Sequence, residues 1–165
     1  MSAPAGTTVD DVKAALVALA ETTFAADAAP VSVIYGPRTA TTVTEDRLVS
    51  VQGIGPGQGT RTADSLAGDG AAETASEAYV LTVVCSADLQ GAGDETQQAA
   101  TQGALDLWTR LTAAVRAVPG RDLGLAAVGV QLAVPDSGFE LAERADENGR
   151  QAAVRWGLRV MAQCS

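Results

Sequence analysis

The chain has 165 residues, 47% of them hydrophobic, with a formal net charge of -9 and no histidine. These values fit one compact domain spanning residues 1–165, and the missing histidine removes the usual general base near neutral pH and the commonest metal ligand. The acidic balance disfavours nucleic-acid binding, and the sequence has neither a basic leader nor the roughly 20 apolar residues of a membrane span.

The first half of the chain predicts one helix and three strands. The helix runs from about Thr8 to Ala25 and is capped by Thr7 or Thr8. Both alternating residue sets of the third strand are largely apolar, which predicts a central strand covered on both faces. One cover is a helix, and we expect another subunit to supply the other. The predicted strands span residues 31–35, 47–53 and 78–85.

Between the second and third strands, residues 54–75 consist largely of Gly, Pro, Ala, Thr and Asp. An irregular segment of that length is uncommon in a compact domain and is usually functional or disordered. We therefore predict an irregular Gly/Ala-rich loop at about 54–75 that is exposed, mobile and used for interaction.

The second half predicts a long helix followed by antiparallel strands. The helix spans about Asp94 to Val118, and Asp106 and Arg110 are spaced for an ion pair on its surface. Asn148-Gly149 is a strong hairpin signal. The predicted buried stripe of the helix is Leu105, Trp108, Leu111, Val115 and Val118. The predicted strands are an alternating one at 126–134, a shorter one at 139–145 after a turn at 135–138, and a final one at 151–163.

Helices and hairpins are mixed without βαβ alternation, so the fold class is α+β. The simplest arrangement is a single mixed, mostly antiparallel sheet with two helices packed on one face. In the final strand, Val154, Trp156, Leu158 and Val160 share one face, and the opposite face carries Arg155, Gly157 and Arg159.

Two glycine-rich stretches raise the question of a phosphate site. In LQGAGDET (residues 89–96) the third glycine of a dinucleotide fingerprint is missing, and Asp94 and Glu95 place carboxylates where a pyrophosphate would bind. We therefore predict that Asp94 caps the second helix. The stretch IGPGQGT (residues 54–60) lacks the Gly-Lys-Ser/Thr ending of a P-loop, which favours a flexible loop.

No other pattern amounts to an active site. There is no G-x-S-x-G motif, and the carboxylate pairs Glu140/Glu143 and Asp146/Glu147 lie in polar regions that favour solvated charge. Cys85 and Cys164 have neither zinc-site nor redox spacing and are predicted to be small buried residues. The sequence thus predicts no catalytic residue, no cofactor and no metal.

The order of elements resembles the tail terminator proteins of long-tailed (siphovirus-type) bacteriophages. The likeness lies in the strand Tyr79 to Leu89 with its turn Gly91-Ala-Gly-Asp94, the helix stretch Leu105 to Pro119, the alternating strand and the valine- and arginine-rich final strand. The N-terminal helix, the short strand at Val31 to Tyr35 and the strand ending in Val51-Gln-Gly53 agree with it. The likeness covers nearly the whole chain but includes no diagnostic residue.

The resemblance implies a structural virion protein that is not an enzyme. The subunit would form a homohexameric ring that caps the tail tube, ends tube polymerisation and presents a surface to a head-completion (stopper or connector) protein. The implied location is the head–tail junction of the virion, assembled in the host cytoplasm, without membrane contact. Genomic DNA would pass through the lumen without specific binding.

Other functions fit the same sequence features. Another neck protein (connector or stopper) or a tail tube subunit fits the same machinery, and a small α+β ligand-binding module or enzyme is more remote. The candidate assembly-interface residues are Ile54, Pro56, Leu66, Arg155 and Arg159.

Overall fold

The computed structural model of the chain describes residues 6–38, 46–64, 74–147 and 149–164. Within these ranges the chain forms two α-helices, five strands and two short 3-10 helices. In chain order the main elements are α1 (Val9–Phe24), β1 (Val31–Tyr35), β2 (Arg47–Asp64), β3 (Thr74–Gln90), α2 (Asp94–Ala117), β4 (Val130–Ala145) and β5 (Gly149–Cys164). The 3-10 helices are Pro119–Arg121 and Ala126–Val128.

The five strands form one sheet in the order β1-β2-β3-β5-β4. Among the described strands, only β1 and β2 pair in parallel, and the other three pairs are antiparallel. The predicted α+β class, with a mixed and mostly antiparallel sheet, is confirmed. As predicted, β3 is the central strand.

Both helices pack on the same face of this sheet, which we call the helix face. In β2 at Val49 and Val51, and along most of β3 and β5, every second residue is buried there, because side chains alternate between the two faces of a strand. The strand residues involved include Val49, Val51, Leu81, Val83, Cys85, Val154, Trp156, Leu158 and Val160. From the helices come Val12, Leu16, Ala20 and Phe24 of α1 and Ala100, Ala104, Leu107, Leu111 and Val115 of α2.

Helix α2 lies closer to the sheet than its predicted stripe implies. Leu111 and Val115 are buried as predicted, but Leu105, Trp108 and Val118 are only half-buried. The buried side of the helix is instead rotated toward Ala100, Gly103, Ala104 and Leu107, three of which are small. A Cβ atom on Gly103 would stand 3.1 Å from the Cβ of Ala87 on β3, so a small residue permits this approach.

An ion-pair cluster joins the two helices at the surface. Arg110 of α2 donates two hydrogen bonds to the carboxylate of Asp27, at 2.7 and 2.6 Å, and its guanidinium carbon lies 4.9 Å from the centre of the Phe24 ring. The predicted pair between Asp106 and Arg110 is also present, at 3.3 Å. The hydrogen bond from Arg110 holds the pKa of Asp27 below its ordinary value.

The predicted irregular loop at 54–75 is wrong where the structure describes it. Strand β2 continues to Asp64, and β3 begins at Thr74, so residues 59–64 pair with residues 74–79. The glycine-rich stretch forms bulges in the strand and not a loop. The register of pairing shifts between Val51 and Ile54 and again between Ile54 and Gly59. Residues 65–73 lie outside the described part of the chain.

The region after α2 also differs from expectation. The first part of the predicted strand at 126–134 is a 3-10 turn, and β4 starts only at Val130. The predicted turn at 135–138 is a register shift within one continuous strand β4, between Pro135 and Phe139. The hairpin joining β4 to β5 is confirmed by the pairing of Ala145 with Arg150, although Asn148 itself lies outside the described residues.

Asp94 does not cap α2. It is the first residue of the helix, and the capping position belongs to Gly93, with no side-chain capping hydrogen bond. Gly93 has φ 126° and ψ 167°, a conformation almost confined to glycine, which fixes the helix start one residue earlier than an aspartate cap would. Asp94 and Glu95 instead lie in the first turn, where the helix dipole favours negative charge.

Candidate assembly surfaces

The face of the sheet opposite the helices, here called the open face, carries both candidate arginines. Arg155 and Arg159 are exposed on β5, two alternating positions apart, as predicted. Arg159 donates a 2.8 Å hydrogen bond to Asp136 of β4, and Arg155 lies in register with Glu140. Each arginine therefore has an acidic neighbour on β4, so the open face is not a continuous positive patch.

Apolar side chains surround these arginines. Val80 and Val84 of β3 lie in register with Arg159 and Arg155 and are half-buried, while Met161 is 46% exposed. A shallow depression of about 290 Å³ lies between the bulge at 57–60 and the side of Arg159 and Met161. No helix packs on this face within the ranges that the structure describes.

Ile54 and Pro56 lie elsewhere, on the stretch that we call the ribbon: residues 54–64 of β2 with residues 74–79 of β3, the latter also pairing with β5. Ile54 is 40% exposed and lies in register with the buried Leu81, which places it on the helix face. Pro56 is exposed within the bulge. Leu66 lies outside the described residues, so the candidate residues do not form one surface.

A buried polar cluster attaches the ribbon to the start of α1. Glu77 of β3 is 6% exposed, and its carboxylate accepts hydrogen bonds from the backbone N–H of Thr8, at 3.1 Å, and from the Thr8 hydroxyl, at 3.0 Å. The Thr8 hydroxyl also bonds the hydroxyl of Tyr79 at 2.9 Å, and Arg61 approaches the other carboxylate oxygen at 3.6 Å. These polar contacts join the ribbon to α1, in addition to the pairing of residues 75–79 with residues 160–164 of β5.

These contacts decide the charge of Glu77. Burial alone would raise its pKa, but the hydrogen bonds from the Thr8 backbone and from the hydroxyls of Thr7 and Thr8 hold the pKa below its ordinary value. Burial raises the pKa of the neighbouring Tyr79 to about 12. At neutral pH the cluster therefore contains a carboxylate bonded from several sides and a neutral phenol.

Sequence reasoning missed Glu77, although a signal was present. Ala75, Glu77, Tyr79 and Leu81 alternate in one phase, so a carboxylate occupies a position whose neighbours on the same face are buried. A charged residue in phase with a buried set predicts a paired carboxylate, because burying an unpaired charge is costly. The predicted loop ends at residue 75 and the predicted strand begins at residue 78, so Glu77 lies in neither prediction.

Tyr35, Phe139 and Leu141 were also missed as surface candidates. They are 51%, 48% and 41% exposed, and they lie on the two strands at the borders of the sheet. Phe139 contacts Trp108 of α2, with ring centres 4.3 Å apart. Tyr35 donates a 2.5 Å hydrogen bond to Asp10, and the Lys13 ammonium lies 3.8 Å from its ring centre.

The two cysteines and the carboxylates of β4 and its following turn have the environments that the sequence predicts. Cys85 and Cys164 are free and buried, as predicted, and burial raises the pKa of the Cys85 thiol to about 12. Glu140, Glu143, Asp146 and Glu147 are exposed, which confirms their interpretation as solvated charge. Among the residues that the structure describes, no three Cys, Asp or Glu side chains are grouped to hold a metal ion.

No helix in the described ranges is long and apolar enough to cross a lipid bilayer. Comparison with models of known protein families finds no match, and neither does comparison with curated protein sequences.

Proposed function

We propose that the chain is the subunit of a homohexameric ring that caps the tail tube of a long-tailed bacteriophage. In this proposal the ring ends tube polymerisation and forms part of the head–tail junction. Its partners are other copies of the chain, the tail tube protein and a head-completion protein, while genomic DNA passes through the lumen without specific binding. The protein has no enzymatic role.

One observation carries the proposal: the domain has a sheet with helices on one face only and a mostly exposed stretch of β2 at residues 53–62. The open face combines half-buried Val80 and Val84 with exposed Met161. Contiguous apolar residues bordered by charged ones are characteristic of protein–protein contact. A subunit that must contact identical neighbours, a tube and a head protein needs several such surfaces.

The ribbon supports the same proposal. Its β2 part is rich in Gly, Pro and Thr, yet it is held in a defined position by pairing with β3 and by the ion pair of Arg61 with Glu77. A positioned, exposed segment can reach a neighbouring subunit or the tube without the entropic cost of ordering a free loop. We therefore keep the prediction that residues 54–64 make contacts on assembly, now as a strand.

Rival functions within the same machinery differ in how copies assemble. A tail tube subunit should stack into open tubes, whereas a terminator should form single closed rings. A connector or stopper should bind the head side without capping tubes. A ligand-binding module or enzyme should remain an unassembled domain in the absence of its ligand.

Electron microscopy of the purified protein, alone and mixed with polymerised tail tubes, separates these outcomes. We expect closed six-fold rings one subunit high, either free or on one end of each tube. Open stacks of rings would support a tube subunit instead. Monomers that persist at high concentration and in the presence of tubes would contradict the proposal.

Limited trypsin digestion tests the role of the ribbon. Arg61 is exposed in the ribbon, and Arg121 is exposed in a 3-10 turn distant in sequence. We expect cleavage after Arg61 to slow at least several-fold on assembly, while cleavage after Arg121 serves as the matched control. Equal rates after Arg61 in free and assembled protein would remove the ribbon from the contact surfaces.

A further inference from the structure

The two border strands of the sheet leave their outer edges unpaired within the described residues. β1 has 5 residues and β4 has 16, and each pairs with a strand on one side only. An edge strand presents free backbone N–H and C=O groups and is a template for pairing with another chain. Proteins usually protect a long edge with lysine, proline or an added cover.

The second half of β4 lacks lysine and proline, although it carries the charged residues Glu140, Glu143 and Arg144. Its proline, Pro135, lies before the register shift, and no lysine or proline occurs between Phe139 and Ala145. Glu143 accepts a 2.6 Å hydrogen bond from Thr101 of α2, and Glu140 lies in register with Arg155 of β5. Glu143 is therefore turned toward its own subunit, whereas Glu140 is exposed.

Apolar side chains are exposed on both edges and on the same face. Phe139 and Leu141 lie in register with the buried Trp156 and Val154, and Tyr35 lies in register with the buried Val51. Apolar side chains on the helix face of the sheet are therefore exposed to solvent at both borders. Large exposed apolar side chains beside an unpaired edge are a feature of surfaces that contact other protein chains.

The strand directions allow the β4 edge of one copy to pair with the β1 edge of another. β1 is parallel to β2, and three antiparallel steps lead from β2 through β3 and β5 to β4. β4 therefore runs opposite to β1. Two copies in the same orientation can place β4 of one beside β1 of the next as an antiparallel pair. Such a contact joins two different surfaces, so it repeats around an axis and can close a ring.

We propose that β4 of one copy pairs with β1 of a second copy of this chain, so that the sheet continues from subunit to subunit. The register that matches the apolar residues sets Val33 opposite Leu141. It also sets Tyr35 opposite Phe139 and Ser32 opposite Ala142. Aromatic and aromatic–aliphatic cross-strand neighbours stabilise antiparallel pairs. This inference rests on the proposed assembly into a ring and names the edges that form it.

A different edge contact is the main competitor. Two copies of β4 could pair antiparallel about Ala142, which would set Glu140 opposite Arg144 twice. That dimer would place Leu141 opposite Glu143 and would leave Tyr35 of β1 exposed. The pairing of β4 with β1 covers all three exposed apolar residues and is therefore the one that the observations favour.

Disulfide trapping distinguishes the two contacts. Ser32→Cys and Ala142→Cys are made as separate proteins, mixed at equal amounts and oxidised under the conditions used for microscopy, with and without tail tubes. We expect covalent dimers in the mixture and not in either variant alone. The parent protein, with its buried Cys85 and Cys164, gives the background. A mixture of Ser32→Cys with Ala78→Cys is the matched control, since Ala78 is exposed on the central strand β3.

The double variant Ser32→Cys/Ala142→Cys should give a ladder of covalent products that ends at the closed hexamer. Dimers formed by Ala142→Cys alone would overturn the inference in favour of the β4–β4 contact. Rings seen by microscopy without cross-linking between positions 32 and 142 would overturn the edge pairing and leave the ring function standing. Cross-linked open chains without rings would support the edge pairing and contradict the ring.

A second measurement does not depend on disulfide geometry. Leu141→Lys introduces the charge that protects natural edges and should weaken self-association by about tenfold or more, as loss of an interface anchor does. Val128→Lys is the control, because Val128 is 44% exposed, close to the 41% of Leu141, but lies outside any strand. Equal association of the two variants, measured by sedimentation, would overturn the inference.

Discussion

Strands β2 and β3 pair along two stretches that are held in different ways. Residues 47–51 pair with 83–87 beneath the helices, and the alternate side chains there are completely buried. Residues 59–64 pair with 74–79 in the ribbon, where Glu77, Thr8 and Tyr79 supply the attachment. At one end apolar packing against the helices covers both strands. At the other end β3 remains paired with β5 and bonded to Thr8, while the side chains of β2 are mostly exposed.

This difference decides what each end can do. A packed core resists rearrangement because its side chains interlock. A strand that is paired on one side, as the outer part of β2 is with β3, can keep its position while most of its side chains remain exposed. The packed end therefore supplies the stability of the domain, and the ribbon end supplies a surface that a partner can cover.

The largest expected effect comes from truncating one residue at the junction of the two ends. Leu81 is completely buried, whereas its register partner Ile54 is 40% exposed. Leu81→Ala should lower the free energy of unfolding by about 2–5 kcal/mol, and Ile54→Ala by less than about 1 kcal/mol. Denaturant unfolding measures both. Similar costs for the two variants would mean that the ribbon is packed like the core.

The next effect concerns the buried carboxylate of the ribbon. Glu77→Gln should lower the free energy of unfolding by roughly 1–3 kcal/mol at neutral pH, because one amide cannot accept every bond that the carboxylate accepts. The matched control is Glu140→Gln, at an exposed position of β4. Denaturant unfolding of both variants at neutral pH compares them.

Acid should erase the difference between parent and Glu77→Gln. The pKa of Glu77 is lowered in the folded state, so its stabilisation is present above the ordinary value of 4.5. It is lost as the pH falls below 4.5 and through the folded pKa. Unfolding curves across this range should therefore converge. A constant difference at every pH would show that the side chain acts through packing and not through charge.

A smaller effect is expected for the ion pair on the packed side. Asp27→Asn removes the charge that Arg110 contacts, and Arg110 is 36% exposed, so solvent screens the pair. We expect a loss of about 0.5–1 kcal/mol at low salt that largely disappears in 1 M salt. The cost of Glu77→Gln should persist in the same salt. Equal salt dependence of the two costs would contradict the contrast between buried and exposed charge.

The sequence predicted the packed half of the fold well and the ribbon poorly, for a physical reason. Alternation of Val154, Trp156, Leu158 and Val160 has only one interpretation, since burial on one face is what creates it. In the ribbon, bulges interrupt that alternation, and glycine gives no side chain to follow. The polar cluster depends on Thr8, which is 69 residues from Glu77, and no local pattern predicts such a distant partner.

The same limit applies to the candidate surfaces. Strand alternation predicts that Arg155 and Arg159 lie on the open face, opposite the buried residues of β5. Tyr35, Phe139 and Leu141 were not singled out, because the sequence does not reveal which strands border the sheet. Strand order is decided by long-range pairing, and only the structure supplies it.

The smallest effect tests how α2 begins. As first helical residue, Asp94 stabilises the helix through its charge, so Asp94→Ala should cost only about 0.3–1 kcal/mol. Asp94→Asn removes the same charge and should cost nearly as much. If Asp94 were instead the capping residue, asparagine would replace it well and only alanine would be costly. Thermal unfolding of both variants at low salt therefore separates the two interpretations. Gly93→Ala should give the largest loss of stability at the start of α2, roughly 1–3 kcal/mol, because alanine is strained at φ 126°. A parent-like Asp94→Asn beside a destabilised Asp94→Ala would restore the aspartate cap and move the helix start by one residue.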